Sequence, residues 1–488
     1  VPAVRRVRTV ADSPLRVLLG DVVELDRALP GEDWLEARLE RELPADWLEG
    51  LAAVDDAGAP VDRDQVAAEA RATWVRSMRQ HERRGTTGLE SAFDDELNGR
   101  LGLRLVEQDS RRREHRQWGH LRGMAGNDVR TTLDLDLQRL AEAAVASAWQ
   151  RMRNLHDDAS DADKVEAALA VIDARTGDVL AYAGAPVVSP SPRDLPGVVW
   201  VLNGDLGSVV KPFVLVEQLQ CEAAGRPHRA LATLEDCNYR FRHEGHTWYC
   251  SHAHGAGGRD PVEALAESCN VFYYQCGIGL GDEGIARALR RFGLTKPAAD
   301  GVDPFAACWQ PTVSGLRAAH PRRDDEITAL PQRAVGYGVE ASPLHVARAY
   351  AGLATGSLPT LGLSVAPRPG VPLDDVGREL AIVQEGLRAC VQRGTARKLP
   401  KLDELGVCGK TGTAEVGRRD NENNAWFAGW LPEAGGAGAQ LCFCAVVYWV
   451  KDKTHGGDAA GQTVVDFLTA LQADPVLQQR WLLPGGGR

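Results

Sequence analysis

Apolar and polar positions fall into regular patterns mainly after residue 128. Asp136–Gln150 repeats apolar residues at helical spacing, which predicts an amphipathic helix. Val129–Leu133, just before it, reads as a strand. Ala168–Asp173 and Val179–Tyr182 flank the turn Arg175-Thr176-Gly177-Asp178, which predicts a β-hairpin. Helical patterns follow over Pro212–Cys221, Pro261–Gly277 and Pro343–Thr355. Strand patterns return at Gly406–Cys408, Ala425–Trp430 and Leu441–Val450, and a last helix is expected over Thr463–Leu471. Leu441–Val450 is the longest apolar run. It is far shorter than the roughly 18 residues of a membrane helix, so it reads as a buried strand. Strands, then helices, then strands again predict an α+β domain in which a sheet closes over a helical core.

Residues 1–128 differ in character. They are charged and irregular, with helical patterns at Asp33–Glu42 and Arg63–Arg83 and a charge-rich stretch at Glu107–Arg116. No catalytic constellation appears there, which suits a support or docking module. The expected division is 1–128 and 129–480, and a chain of 488 residues is long enough for two or three domains.

Composition sharpens this picture in three ways. A net charge of −11 argues against a nucleic-acid partner, which selects a basic face. The basic residues comprise only eight lysines against 48 arginines. A position that must release a proton cannot be arginine, so Lys211 and Lys410, both inside motifs, stand out. Ten cysteines are scattered along the chain, too sparse for a disulfide scaffold. Cys442 and Cys444, two apart in a strand pattern, read as core thiols pointing the same way. The chain opens on Val1 and not on Met, which leaves room for a leader or anchor removed from its start.

Three short motifs carry chemistry. In Gly207-Ser208-Val209-Val210-Lys211-Pro212-Phe213, a serine and a lysine three apart on a helix share one face. A serine hydroxyl needs an adjacent base to act as a nucleophile, and a desolvated lysine can be neutral enough to serve. Pro212 is tolerated in the first turn. In Ser268-Cys269-Asn270, the hydroxyl could relay a proton and the amide could hold a substrate amide. Cys408-Gly409-Lys410-Thr411-Gly412-Thr413-Ala414-Glu415 reads as a strand whose glycines admit a close backbone neighbour. Lys410 and Thr413 could hold a substrate carboxylate while the strand edge pairs with an extended peptide.

The order S-x-x-K, S-x-N, K-T-G, separated by about 60 and then about 140 residues, resembles that of the penicillin-recognising serine enzymes. In particular it resembles the transpeptidase domain of class B, monofunctional penicillin-binding proteins. The likeness continues in Val129-Arg130-Thr131-Thr132-Leu133-Asp134 with Leu137-Gln138, and in Ala170-Val171-Ile172-Asp173 with Gly177-Asp178-Val179-Leu180. It also includes Gly336-Tyr337-Gly338, Ser342-Pro343-Leu344, Ala349-Tyr350, Gly394-Thr395-Ala396 and Asn424-Ala425-Trp426-Phe427-Ala428-Gly429. Upstream, Gly88-Leu89-Glu90, Phe93 and Leu97-Asn98-Gly99 are similar to the linker module of that class. The resemblance covers roughly residues 85 to 475, and the middle motif is S-C-N where S-D-N is common.

This resemblance implies a five-stranded antiparallel sheet with a helical subdomain and an N-terminal pedestal. It implies a peptidoglycan D,D-transpeptidase that needs no cofactor for catalysis. Ser208 is the expected nucleophile, Lys211 the base, and Ser268 and Asn270 the remaining catalytic pair. Lys410, Thr411, Gly412 and Thr413 are expected to bind substrate, with backbone N–H groups of Ser208 and Thr413 holding the oxyanion. The implied partners are stem peptides ending in D-Ala-D-Ala, β-lactams and a membrane glycan polymerase. The implied location is extracytoplasmic, with an N-terminal membrane anchor. A carboxypeptidase or β-lactamase-like hydrolase shares the motifs but generally lacks the N-terminal module. A non-catalytic cell-wall scaffold would not need all three motifs.

One stretch points to a metal. Cys237, Cys250, His254 and Cys269 offer thiolate and imidazole ligands, the set zinc prefers, with His252 as the alternative histidine. The spacing C-x12-C-x3-H-x14-C is not that of a standard finger. Elongation-type class B proteins resemble this stretch, and some carry metal-binding side chains at comparable places. A structural zinc, free core thiols and a Cys237–Cys250 disulfide are the readings it leaves. The Cys/His stretch and Gly88-Leu89-Glu90 lean toward elongation over division.

Overall fold

The computed structural model describes residues 113–185, 204–294, 326–363, 368–416, 422–433, 439–451 and 454–482, and shorter pieces at 22–24, 83–85, 93–99 and 103–108 with isolated positions between them. The chain divides into two compact units, Val1–Arg130 and Thr131–Arg488.

In the first unit, Leu103–Gln108 and Glu114–Leu121 form an antiparallel hairpin across the charge-rich stretch. Val22–Glu24 pairs with Arg83–Gly85, and Asp94–Leu97 is a short helix. Residues 64, 68 and 72, within the expected helix Arg63–Arg83, are helical. Asp33–Glu42 and Gly88-Leu89-Glu90 lie outside the described residues.

The second unit is built on one sheet. Helix α1 (Leu135–Arg153) precedes the hairpin β1 (Glu166–Asp173) and β2 (Val179–Ala185). Helix α2 (Lys211–Ala224), hairpin β3–β4 (Arg240–His243, His246–Tyr249), and helices α3 (Pro261–Ala266), α4 (Asn270–Arg291), α5 (Pro343–Thr355) and α6 (Gly377–Gln392) follow. Strands β5 (Cys408–Val416), β6 (Glu422–Pro432) and β7 (Ala439–Val450) then complete the sheet, and α7 (Gln462–Ala473) and α8 (Pro475–Trp481) end it. The strand order is β5-β6-β7-β1-β2, antiparallel throughout.

β7 is the middle strand, and it explains the long apolar run. One set of alternate side chains, including Phe443, Ala445 and Val447, packs into the cluster formed with α1 and α7. The other set, including Cys442, Cys444 and Val446, is equally buried on the side where α5 packs. A strand covered on both faces needs no polar alternation. The two cysteines are core thiols on the same face, as their spacing required.

Two expectations need correction. Val129–Leu133 forms no ladder strand, with only an isolated bridge at Thr131. Its partners come from separate segments: Thr132 N–H donates to Leu363 O, Thr132 Oγ1 to Val179 O and Gly362 O, and Asp134 N–H to Leu180 O. Asp134 then caps α1 by accepting from Asp136 N and Leu137 N. The helix expected over Pro261–Gly277 is two helices, broken at Ser268-Cys269, where Ser268 has φ 58°. Apolar periodicity runs on through the break, so the pattern alone does not reveal it.

The sheet core generates a stability prediction. Phe443 is fully buried, with its ring stacked on Phe427 at 6.5 Å. Phe443→Ala should cost about 3–5 kcal/mol, read as a lower urea midpoint for the unit carrying the sheet. A midpoint equal to wild type would contradict this account of the core.

Candidate active site

Ser208 lies on a short turn that other segments hold rigid. Gly204–Asp205 pairs antiparallel with Glu340–Ala341. Leu206 N–H donates to Val339 O (3.0 Å), Gly207 N–H to Gly336 O (3.3 Å) and Gly338 N–H to Asp205 Oδ1 (2.9 Å). Trp426 Nε1–H donates to Asp205 O at 3.0 Å, and Tyr350 O–H to Val209 O at 3.0 Å. Gly336 has φ 97°, and a Cβ there would lie 2.0 Å from Gly207 O, so no other residue fits. Gly207–Val210 is a 3₁₀ turn that runs directly into α2. In that geometry residues i and i+3 eclipse, which brings Ser208 and Lys211 onto one line. The Ser208 hydroxyl makes no hydrogen bond among the described residues.

Lys211 is fully buried and joins the first motif to the second. Its Nζ donates to Ser268 O (2.8 Å), Ser268 Oγ (3.0 Å) and Asn270 Oδ1 (2.6 Å), and lies 5.2 Å from the Tyr273 ring centre. The acceptors favour the ammonium. Burial opposes it, with the Lys410 ammonium second, and together they pull the amine down to about 7 from the usual lysine range. The left-handed Ser268 is what turns both its carbonyl and its hydroxyl toward Nζ. For a residue with a side chain, that conformation costs of order 1–3 kcal/mol, a strain typical of functional sites.

The K-T-G strand is β5, the edge of the sheet. Lys410 is fully buried, its Nζ donates to Thr411 O at 2.9 Å, and burial lowers its affinity for a proton. A Cβ at Gly412 would lie 2.9 Å from both Leu206 O and Val209 Cγ1, so this glycine lets the serine turn pack on the strand. A Cβ at Gly207 would lie 2.6 Å from Thr413 O, so these backbones are in contact as well. Thr413 Oγ1 accepts from Gly456 N–H at 3.1 Å, which leaves its own proton to donate. Thr411 Oγ1 lies 2.6 Å from Thr395 Oγ1.

The four ligand atoms of Cys237, Cys250, His254 and Cys269 lie within 4.8 Å of one another. His254 Nδ1 is 3.3 Å from Cys237 Sγ and 3.6 Å from Cys250 Sγ. All three cysteines are buried free thiols. A hydrogen bond from Cys269 holds the Cys250 thiol well below the usual range, with His254 and the Asn270 N–H adding to it. That Asn270 N–H donates to Cys250 Sγ at 3.2 Å, so the cluster touches the S-x-N motif directly. His252 is exposed, its ring 4.1 Å from that of His254, and forms a second group with His254 and Glu267.

All three motifs therefore converge on one place, and the Cys/His stretch sits beside it. The motifs do not reveal Tyr273 or Glu217. Tyr273 lies under Lys211, one turn past Asn270. Glu217, fully buried on α2, is 2.9 Å from Arg287 Nε and 3.7 Å from Arg291 Nη2, which ties α2 to α4. A Glu among apolar helix positions was the available signal for that second anchor.

Comparison with known proteins agrees with this geometry. The family model described as penicillin binding protein transpeptidase domain matches residues 167–469, and that described as penicillin-binding protein dimerisation domain matches residues 50–131. Peptidoglycan D,D-transpeptidase MrdA of Salmonella typhimurium is 26% identical over 396 residues, covering 71% of this chain and 58% of the relative. A solved structure titled "Structural coordination of polymerization and crosslinking by a peptidoglycan synthase complex" is 28% identical at a TM-score of 0.58, over 80% of this chain and 70% of the other. The fold is also that of a penicillin-binding protein in a complex with MreC from Helicobacter pylori, at a TM-score of 0.62 and 20% identity, over 89% of this chain and 78% of the other. With more than half of the chain matched and all three motifs gathered around Ser208, the chain belongs to the penicillin-binding protein transpeptidase family, with a penicillin-binding protein dimerisation domain ahead of the transpeptidase domain.

Proposed function

We propose that this protein is a serine D,D-transpeptidase that cross-links peptidoglycan stem peptides through an acyl-enzyme on Ser208. The observation that carries this reading is the buried Lys211 amine, which follows the serine turn in the chain and is held by three acceptors of the Ser268–Asn270 turn. Neutral Lys211 takes the Ser208 proton as Oγ attacks the penultimate D-alanine carbonyl. The peptide C–N bond breaks, and the leaving D-alanine nitrogen receives a proton passed from Lys211 through the Ser268 hydroxyl. An amine of a neighbouring stem then attacks the ester, the C–O bond breaks, and Oγ recovers a proton. Backbone N–H groups of Ser208 and Thr413 are assigned to the oxyanion. The donor peptide would add to the outer edge of β5, along Lys410, Thr411, Gly412 and Thr413. The Thr413 hydroxyl would donate to the terminal carboxylate, with the Lys410 charge behind it.

The reading extends to elongation-type growth, outside the cytoplasm, with a glycan-polymerising partner and an N-terminal membrane anchor. The similarity to a peptidoglycan synthase complex that coordinates polymerization and crosslinking supports the polymerising partner. Among the described residues, no helix is long and apolar enough to cross a membrane. The first 128 residues are assigned as the pedestal and 129–480 as the transpeptidase domain.

We assign a structural zinc to Cys237, Cys250, His254 and Cys269. Tetrahedral Zn–S and Zn–N bonds place ligand atoms about 3.3–3.8 Å apart, close to the spacings of 3.3 and 3.6 Å from His254 Nδ1. The ion would neutralise the buried thiolates and brace the start of α4; no step of the reaction passes through it.

A fluorescent penicillin should label the protein covalently, and Ser208→Ala should abolish the label; an undiminished adduct would refute the assignment. The acylation rate should rise with pH through an apparent pKa of about 7, because only the neutral Lys211 accepts the proton. A rate that stays flat between pH 5.5 and 8.5, about a unit and a half either side of that value, would remove Lys211 as base. Elemental analysis should find one zinc per chain, and chelation should lower the melting temperature. Zinc-free protein of unchanged stability would remove the metal.

A further inference from the structure

The K-T-G strand and the Ser268–Asn270 turn, the two walls of the site, come from distant parts of the chain, and Thr395 bonds the first and the residue two before Ser268. It follows α6 and its N–H donates to Ala266 O at 3.1 Å, two residues before Ser268. Its Oγ1 lies 2.6 Å from Thr411 Oγ1 in the K-T-G strand and 3.3 Å from Cys390 Sγ. Gly394 brings the backbones together, since a Cβ there would lie 2.1 Å from Ala266 O. On either side the contacts continue to a lysine. Thr411 O accepts from Lys410 Nζ, and Ser268 O and Oγ accept from Lys211 Nζ.

We propose that Thr395 is a positioning residue that sets the separation between the K-T-G strand and the Ser268–Asn270 turn. Both walls meet the serine turn, β5 through Gly412 and the other through Lys211, and Thr395 adds a direct link between them. β5 is an edge strand with a ladder on one side, and the turn depends on a left-handed serine. A short hydroxyl–hydroxyl bond is directional, so it fixes spacing where apolar packing would allow sliding. The reacting groups must be placed to within a fraction of an ångström, so a small drift between the walls slows acylation.

The inference rests on the acyl-enzyme reading of Ser208, and its test separates the two. Thr395→Val keeps the shape and removes the bond. Penicillin acylation efficiency should fall about 10- to 100-fold, with a melting temperature near wild type. Thr395→Ser should restore most of the rate, which a purely space-filling role would not require. Thr411→Val, the same lesion from the other wall, should show the same loss, and the double variant should lose no more than either single one. Thr411→Val and Thr395→Ser carry the test if Thr395→Val folds poorly: loss in the first with retention in the second supports the proposal, and wild-type acylation in Thr411→Val overturns it. Wild-type acylation in Thr395→Val, or losses that multiply in the double variant, would overturn the proposal. If the wild type is not acylated at all, the acyl-enzyme reading falls instead. Hydrogen exchange then decides the positioning role: faster exchange at both 266–270 and 409–413 in Thr395→Val supports it, and unchanged exchange overturns it.

Discussion

The buried amine of Lys211 is the contact on which the rest of the site depends. Three acceptors from one turn hold it, and a second buried lysine stands near enough to oppose its charge. A group in that position cannot move without leaving polar atoms unsatisfied in a dry interior, which is costly. The serine turn, the Ser268–Asn270 turn and the start of α2 are therefore locked to one another. The proposed chemistry asks for a base near neutrality, and burial lowers the Lys211 amine to about 7 without an unusual side chain.

The sheet supplies the rigidity behind this arrangement. β7, covered on both faces, anchors β6, and β6 carries β5 to the edge where a peptide can pair. Glycines at 207, 336 and 412 let three backbones meet where side chains would keep them apart. Glu217 and its arginines fix α2 against α4 on the far side. A buried ion pair of this kind is weak evidence for added stability, but removing one partner would leave an uncompensated charge. It acts as an alignment pin for the helix that carries Lys211.

The elements that sequence patterning misplaced are informative. Val129–Leu133 has strand-like residues, yet the hydrogen bonds of Thr132 go to two separate segments, at 179 and at 362–363, a tertiary choice invisible to local alternation. Pro261–Gly277 keeps helical periodicity through a break, because Lys211 and the buried cysteine cluster take hold of the Ser268–Asn270 turn, while Ser268 and Cys269 N–H groups still bond back to Leu265 and Ala264. Functional strain overrides local propensity at that point.

Several features were legible in the amino-acid order alone. Periodicity revealed the α+β layering, the central buried strand and most helices, because burial on a face imposes a period on whatever lies there. The scarcity of lysine singled out Lys211 and Lys410, because only a lysine can release a proton where an arginine cannot. The Cys/His stretch marked four candidate ligand residues, and the fold brings their side chains together. Only the tertiary structure decided that Lys211 bonds Ser268 and Asn270, that Cys250 touches the same turn, and that Thr395 links the two walls of the site. These contacts join residues from 16 to 129 positions apart. Over such separations, hydrogen-bond geometry is set by how layers pack, and no local pattern encodes it.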